Sequence, residues 1–291
     1  MDSLIYEKII SKKEYSQLPK KDVELAFSHF EKRQVSDEEK IRLTRELLHK
    51  VFGVFASGKL LSLKNKEPEW ILRKHVSTRE RLLHYEEIYH RILNDEKNVI
   101  DLGAGVNGFS YKYLLEVLQK GDEKLHLQAR DIDLIINDKK SRAKSERGKL
   151  LEKNEGKVRV NYIAVEAIGQ LADLMNKYFD REKFDAKAIH GSLFDLNEIK
   201  KIIKNMKGKK IVFLFKVLDS LEMLERDYSK KLLKEIAPLA DKIVVSFATR
   251  SIGARRGFRA NRKWLIDFIE ENFKILDEFE LGGERYIVFS K

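Results

Sequence analysis

The stretch Val99-Ile-Asp-Leu-Gly-Ala-Gly-Val-Asn-Gly-Phe109 constrains the fold more than any other part of the chain. A short apolar run, Val99, Ile100 and Leu102, carries Asp101 into Gly103, Gly105 and Gly108, and an apolar, aromatic helical pattern follows. That order predicts a strand, a tight turn and a helix. Glycine in such a turn accepts a positive φ and lets the backbone approach a ligand closely. The start of the next helix presents unpaired N–H groups and a positive dipole end. Two nucleotide chemistries use this arrangement, and its neighbours in the chain must separate them.

Residues 1–94 read as helical, with apolar residues at three-to-four spacing over Asp22–Lys32 and Asp37–Phe55. Ser36 with Glu39, and Ser77 with Glu80, have the spacing of capping boxes. The second box would open one amphipathic helix running through Leu83, Tyr85, Ile88, Tyr89 and Ile92. From Lys97 the pattern alternates. Strands are predicted at Asn98–Leu102, Leu125–Ala129, Val158–Ile163, Ala186–Ile189, Ile211–Phe215, Ile243–Phe247 and Tyr286–Phe289. Helices are predicted at Tyr111–Gln119, Leu134–Leu151, Ile168–Phe179, Leu196–Lys204 and Leu221–Ile236. Such alternation implies a parallel sheet covered by helices on both faces. At the end, Phe273–Leu281, Gly282-Gly283 and Arg285–Phe289 form a hairpin pattern. The expected fold is therefore α/β, a Rossmann-like sheet of seven strands, the last antiparallel, behind a helical N-terminal domain; a sheet that ends in such a hairpin resembles the plan of class I methyltransferases that use S-adenosylmethionine. The expected boundaries are 1–94 and 95–291.

Composition narrows the chemistry. The 291 residues include no cysteine, which excludes disulfides, thiolate metal sites, cysteine nucleophiles and iron–sulfur radical chemistry. No metal site is expected. A formal net charge of +11 favours a polyanionic partner, with a lysine-rich solvated surface as the plain alternative. Abundant Lys and Glu hint at a thermophilic source. No apolar run is long enough to span a bilayer, and Met1–Lys13 lacks a signal-peptide core, so a cytoplasmic monomer with no membrane partner is expected.

Gly103-x-Gly105-x-x-Gly108 matches the dinucleotide fingerprint, and Asp131 lies at the expected distance beyond it. An NAD(P)-dependent oxidoreductase therefore competes with an enzyme that uses S-adenosylmethionine (SAM). Asp101 tilts the balance toward SAM. Its carboxylate would repel a pyrophosphate but accept from the ammonium of the methionine part, directly or through water. The terminal hairpin favours SAM as well, whereas Asp131 suits the ribose of either ligand.

Methyl transfer is an in-line displacement, so such an enzyme mainly positions a nucleophile. With prolines only at 19, 68 and 238, the Asn/Asp-Pro-Pro-aromatic motif of amino-group methylation is absent. Lys216 is available for a ribose hydroxyl, without a full proton-accepting set. Guanine N7 carries a free lone pair and needs no base. The candidate substrate surface is Ser246–Trp264, where Arg250, Arg255, Arg256, Arg259, Arg262 and Lys263 alternate with Phe258 and Trp264. Arginine forks suit phosphates and guanine edges. The aromatics are read as core, the arginines as nucleic-acid ligands.

Four stretches together resemble one family: His75-x-Ser-Thr-x-Glu-Arg-Leu82, Val99–Asn107, Phe215-Lys-x-Leu218 with Leu221-Glu222, and Ser246-Phe-x-Thr-Arg-Ser-x-Gly-x-Arg255. They come in the same order as in the guanine-N7 methyltransferases of small-subunit ribosomal RNA that confer aminoglycoside resistance. The resemblance covers residues 70–290 and fits a divergent archaeal or thermophilic member. It implies that Arg81, Gly103, Gly105 and Asp131 hold SAM, with Ser192 and Leu193 near the adenine, and His75 and Asp101 join them as cofactor-site candidates from their places before and within the glycine stretch. It further implies that Lys216, Ser246, Arg250 and Arg255 sit by the target guanine, and that the N-terminal helices dock the ribosomal subunit. Three positions depart from the family pattern. Asn107-Gly108 replaces Asn-Pro, Gly191-Ser192 stands where an acidic residue meets the adenine, and Arg262 replaces an aromatic residue. Transfer RNA as substrate and a non-catalytic RNA-binding protein remain the other readings.

Overall fold

A computed structural model describes residues 1–53, 67–121, 159–249 and 262–291. In chain order the helices are α1 (Ser3–Ile10), α2 (Lys20–Glu31), α3 (Asp37–Phe52), α4 (Pro68–Lys74), α5 (Val76–Arg81) and α6 (Tyr85–Ile92). Residues 111–121 form α7. Then come α8 (Gly169–Glu182), α9 (Leu196–Asn205), α10 (Leu218–Leu224), α11 (Tyr228–Ile236) and α12 (Lys263–Asn272). The strands are β1 (Asn98–Leu102), β2 (Asn161–Glu166), β3 (Ala186–His190), β4 (Lys210–Phe215), β5 (Lys242–Ala248), β6 (Lys274–Leu281) and β7 (Glu284–Ser290).

The strands form one sheet in the order β3-β2-β1-β4-β5-β7-β6. β1 to β5 pair in parallel, and β7 runs antiparallel to both of its neighbours. The expected fold class is met, a seven-stranded sheet among the described residues with the last strand antiparallel, but the hairpin arm β6 makes up the seven where the hydropathy pattern counts Leu125–Ala129. Four of the five β1 residues are buried, as a central parallel strand covered on both faces requires. The carboxyl ends of β1, β2, β4 and β5 lie along one edge, where open α/β sheets bind ligands. Gly282 and Gly283, with φ of 61° and 77°, make the tight reversal between β6 and β7.

The expected strand Leu125–Ala129 and helix Leu134–Leu151 lie outside the described residues. The strands that pair with β1 are β2, which starts three residues later than the hydropathy pattern places it, and β4.

No strand precedes residue 97 among the described residues, as expected. Ser36 caps α3, its Oγ accepting from Glu39 N at 3.3 Å. The Ser77–Glu80 box does not form, because α5 begins at Val76 and takes His75 as its N-cap. Ser77 Oγ instead meets His75 Nδ1 at 2.7 Å, and Thr78 Oγ1 donates to Leu72 O at 2.6 Å. The single helix expected through Ile92 is two, α5 and α6, separated by a turn at 82–84. Buried Tyr85 and Tyr89 on one face of α6 stack at 5.6 Å, and Tyr89 reaches Phe213 of β4 at 6.1 Å.

The helix expected over Leu221–Ile236 also divides into two. Asp227 takes a left-handed φ of 60°, and the Glu222 carboxylate accepts from Asp227 N at 2.7 Å and Ser229 N at 2.8 Å. A side chain of α10 thereby satisfies N–H groups at the start of α11. Hydropathy alone cannot see such a break, because both pieces keep their apolar face on the core.

The N-terminal helices join the same buried cluster as the sheet. His29 Nε2 lies 2.8 Å from Leu224 O, and Gln170 Nε2 donates to Lys13 O at 3.2 Å. Replacing Glu222 by Ala removes the cap of α11 and is expected to cost about 1 kcal/mol. The urea midpoint should fall without a change in slope. An unchanged midpoint would show that water caps α11 equally well.

Candidate functional site

The site grows from the turn after β1. Gly103 and Gly105 have φ of 72° and 56°, and Gly103 N and Ala104 N both donate to Val165 O, at 2.9 and 3.2 Å. A Cβ at position 103 would stand 2.4 Å from Val217 Cγ2, so backbone conformation and space both demand glycine there. The chain then makes a 3-10 turn over Asn107–Ser110 before α7 starts.

Glu166, the last residue of β2, closes the turn from the side. Its Oε2 accepts from Gly105 N at 2.7 Å and its Oε1 from Ile168 N at 2.9 Å. Burial pushes this carboxyl up to about 7 against those two bonds, with the charges of Asp101 and Asp22 adding to the rise. A cleft of about 550 Å³, its open mouth included, lies over the turn. Gly103, Glu166, Leu193, Phe194, Lys216 and Leu221 line it from the sheet side, and Asp22, Val51 and Phe52 from α2 and α3.

Behind the turn runs a continuous buried polar network. Asp101 Oδ2 accepts from Tyr162 OH and Asn107 Nδ2, each at 2.7 Å. Asn107 Oδ1 accepts from Tyr85 OH at 2.9 Å and from Arg81 Nη1 at 3.1 Å. This amide has only one workable orientation, since Asp101 can only accept and Arg81 can only donate. Arg81 Nε donates to Glu284 Oε2 at 2.9 Å, and the guanidinium lies 4.9 Å from the Phe215 ring centre.

Glu284, at the start of β7, gathers the rest. Lys216 Nζ stands 3.0 Å from its Oε2 and 2.8 Å from Glu80 Oε2. Ser246 Oγ donates to Glu284 Oε1 and accepts from Lys216 N at 3.1 Å. Lys216 holds this place with a left-handed φ of 55°, a strained backbone of the kind found where side-chain position matters. Glu284 and Arg81 are 0% and 2% exposed. Burial would raise the Glu284 carboxyl, but the charges of Arg81 and Lys216 outweigh it and hold the group below its ordinary range.

The structure thus brings Arg81, Lys216 and Ser246 together through Glu284, and puts Gly103 and Leu193 on the cleft. Gly105 and Asp101 lie at and beneath the turn, and Ser192 is buried one residue before Leu193. His75 is buried beside the network. Burial first, then the charges of Arg81 and Lys216, lower it to about 3, so its ring is neutral at physiological pH. Asp131, Arg250 and Arg255 lie outside the described residues, as do Arg256, Phe258 and Arg259. Arg262 is engaged with its own chain, donating to Ala248 O at 2.7 Å and pairing with Asp219. Lys263 pairs with Asp267 at 2.8 Å. Trp264 sits half-buried with Lys230 Nζ 5.0 Å from its ring centre, while Leu265, Phe268 and Ile269 of the same helix are buried.

Three carboxylates of this site escape sequence reasoning. Glu166 ends an apolar strand and carries a readable signal, an acidic residue at a strand's carboxyl end. Glu284 follows a glycine pair and reads as a hairpin residue. Asp22 opens a helix and reads as an ordinary first-turn acid.

Two outcomes follow. Glu284→Gln leaves the buried Arg81 guanidinium beside a neutral amide, with the half-buried Lys216 kept only by Glu80, and is expected to cost about 3–5 kcal/mol in urea unfolding. The second concerns pH. Glu166 is raised above its unfolded value, so the folded state binds the extra proton and stability falls as pH rises from about 4.5 to about 7. Glu166→Gln should remove that fall, on the order of 3 kcal/mol between pH 4.5 and 8. Parallel stability–pH curves for the two proteins would show that Glu166 does not titrate in this window.

No protein-family model and no curated protein sequence matches the chain. Solved structures do. The 16S rRNA methyltransferase RmtF in complex with S-adenosyl-L-homocysteine aligns over 100% of both chains with 18% identity and a TM-score of 0.65. The 16S rRNA methylase RmtB aligns over 99% of this chain and 97% of its own, with 17% identity and a TM-score of 0.66. An rRNA methylase from Escherichia coli aligns over 99% of both, with 17% identity and a TM-score of 0.61. Together with the strand order, these likenesses show that the chain has the class I methyltransferase fold.

Proposed function

We propose that this protein is a SAM-dependent RNA methyltransferase that modifies guanine N7 in small-subunit ribosomal RNA. One observation carries the reading. Asp101 Oδ1 and Arg81 Nη2 are buried beside the glycine turn with no hydrogen-bond partner. A buried acceptor of negative charge and a buried donor of positive charge, each left open in one network that Asn107 joins, match the ammonium and carboxylate of an amino-acid ligand. Glu166 adds a carboxylate at the position that suits a ribose diol, and Leu193, Phe194 and Leu221 add apolar walls for a flat ring. A pyrophosphate would face the carboxylates of Asp101, Glu166 and Asp22, and among the described residues Lys216 is the cation that lines the cleft. The residues present fit SAM.

Bound there, SAM supplies an electrophilic methyl group on a sulfonium. The protein's part is to position it and the acceptor. Asp101, Asn107, Arg81 and Glu284 form a rigid support behind the turn. Lys216 follows β4 and Ser246 lies near the carboxyl end of β5, behind the sheet edge at which the substrate base is proposed to bind. Lys216 is ion-paired with Glu80 and Glu284, and an ion-paired ammonium offers no lone pair to take a proton. That favours an acceptor which needs no base, such as guanine N7. Arg250 and Arg255 are proposed to grip the RNA, Asp131 keeps its proposed place in the cofactor site, and the N-terminal residues up to 94 are proposed to dock the particle. Among the described residues no helix is long and apolar enough to cross a membrane; we place the protein in the cytoplasm as a monomer.

Incubation with tritiated SAM and, separately, small ribosomal subunits, naked ribosomal RNA and transfer RNA tests the reading. Label in the subunits that maps to a guanine base is expected; label on adenine or ribose would overturn the N7 assignment, and label on transfer RNA alone the ribosomal one. Calorimetric titration with S-adenosylhomocysteine and NADH separates the cofactors, and binding of NADH alone would falsify the methyltransferase reading. Arg250→Ala and Arg255→Ala should each weaken RNA binding about tenfold and lower its salt slope by about one, with S-adenosylhomocysteine affinity unchanged.

A further inference from the structure

We infer that Asp22, on the N-terminal helix α2, reads the exocyclic amino group of the ligand's adenine and so selects an adenosine ligand for this cleft. The inference rests on the SAM reading above and adds a residue that lies outside the methyltransferase sheet.

Asp22 is 2% exposed and borders the same cleft as Gly103 and Glu166. Its Oδ2 is buried with no hydrogen-bond partner. A buried carboxylate oxygen without a donor is costly, by roughly 1–3 kcal/mol or more, unless something supplies one. Burial pushes the group up to about 6, against the neighbouring Ser192 hydroxyl, its own backbone N–H and Lys21. The oxygen is therefore an acceptor in want of a donor.

The cleft says which donor. Glu166 is fixed at the turn by Gly105 N and Ile168 N, which puts its carboxylate at the sugar end. Leu193 and Phe194 follow β3, beside Ser192, and make an apolar wall on the Asp22 side. A nucleoside whose sugar meets Glu166 lays its base along that wall toward Asp22. Adenine presents an amino group at its outer edge, whereas hypoxanthine and guanine present a carbonyl oxygen at the same atom. A carboxylate attracts the first and repels the second.

α2 is held for this task. His29, seven residues beyond Asp22 and on the same helix face, lies 2.8 Å from the carbonyl of Leu224, itself a cleft residue. Ser192, which stands where the resemblance expects an acid, sits against Asp22 instead, so the acid reaches the cleft from another element.

The test is a calorimetric titration of the full chain with S-adenosylhomocysteine and with S-inosylhomocysteine, which carries oxygen in place of the amino group. Wild type should prefer the adenosine compound by about tenfold or more, since a buried group left unpaired or repelled costs that much. Asp22→Asn, which is nearly isosteric and can donate, should lose affinity for the adenosine compound and gain it for the inosine compound. Glu166→Gln should weaken both compounds by the same factor, because the sugar is common to them. Equal wild-type affinities, or a ratio unmoved in Asp22→Asn, would overturn the assignment while leaving the SAM reading intact. A wild-type protein that binds neither compound would overturn both. Should Asp22→Asn fail to fold, the wild-type preference and Asp22→Glu decide. Asp22→Glu should keep that preference at reduced affinity, and a preference lost in it would count against the assignment.

Discussion

A guanidinium and a carboxylate buried together, Arg81 and Glu284, hold the ends of this molecule to its middle. Taking both charges out of water is expensive, and one hydrogen bond at 2.9 Å does not repay it. The compensation is collective. Asn107, Lys216, Ser246 and the Phe215 ring each satisfy part of the pair, and Asp101 steadies Asn107 from below. The glycine turn of β1, the left-handed end of β4, the end of β5 and the start of β7 are thereby locked to a short helix that precedes the sheet. Loss of Arg81 or Glu284 leaves a buried charge without its partner, and loss of any other member leaves one of the pair's hydrogen bonds or contacts unmade.

The second organising fact is that the cleft has walls from two regions of the chain. The sheet edge supplies the turn, Glu166 and the residues after β3 and β4, while α2 and α3 supply Asp22, Val51 and Phe52. The N-terminal helices are packed into the same hydrophobic cluster as the sheet. A segment that sequence alone suggests as a docking appendage is thus also a wall of the cleft.

Local pattern made most of the framework legible. Strands with buried faces on both sides read as apolar runs, and the glycine turn announced itself because positive φ and close packing leave few other choices. Capping was half legible: Ser36 caps α3 as its spacing suggests, whereas Ser77 has the same spacing and does not cap, because His75 begins that helix two residues earlier. The break between α10 and α11 was hidden, since Glu222 reaches across it without disturbing either apolar face. Arg81, Lys216 and Ser246 could be named from their motifs, yet the residue that joins them could not. Glu284 lies 203 positions from Arg81 and acquires its role only when β7 pairs with β5. Arg262 shows the converse, a basic residue in a promising stretch that the fold spends on Asp219.

That separation along the chain has a temporal side. A protein made from its N-terminus presents Arg81 and the glycine turn long before residue 284 exists. Until then the guanidinium has no carboxylate to meet, and Lys216 has only Glu80. β7 must slot between β5 and β6, the last hairpin to be made, before the polar network can close. The network therefore closes only after residue 284 is made, and a growing or shortened chain that lacks the terminal hairpin leaves Arg81, Lys216 and Ser246 without their common partner whatever else it has folded.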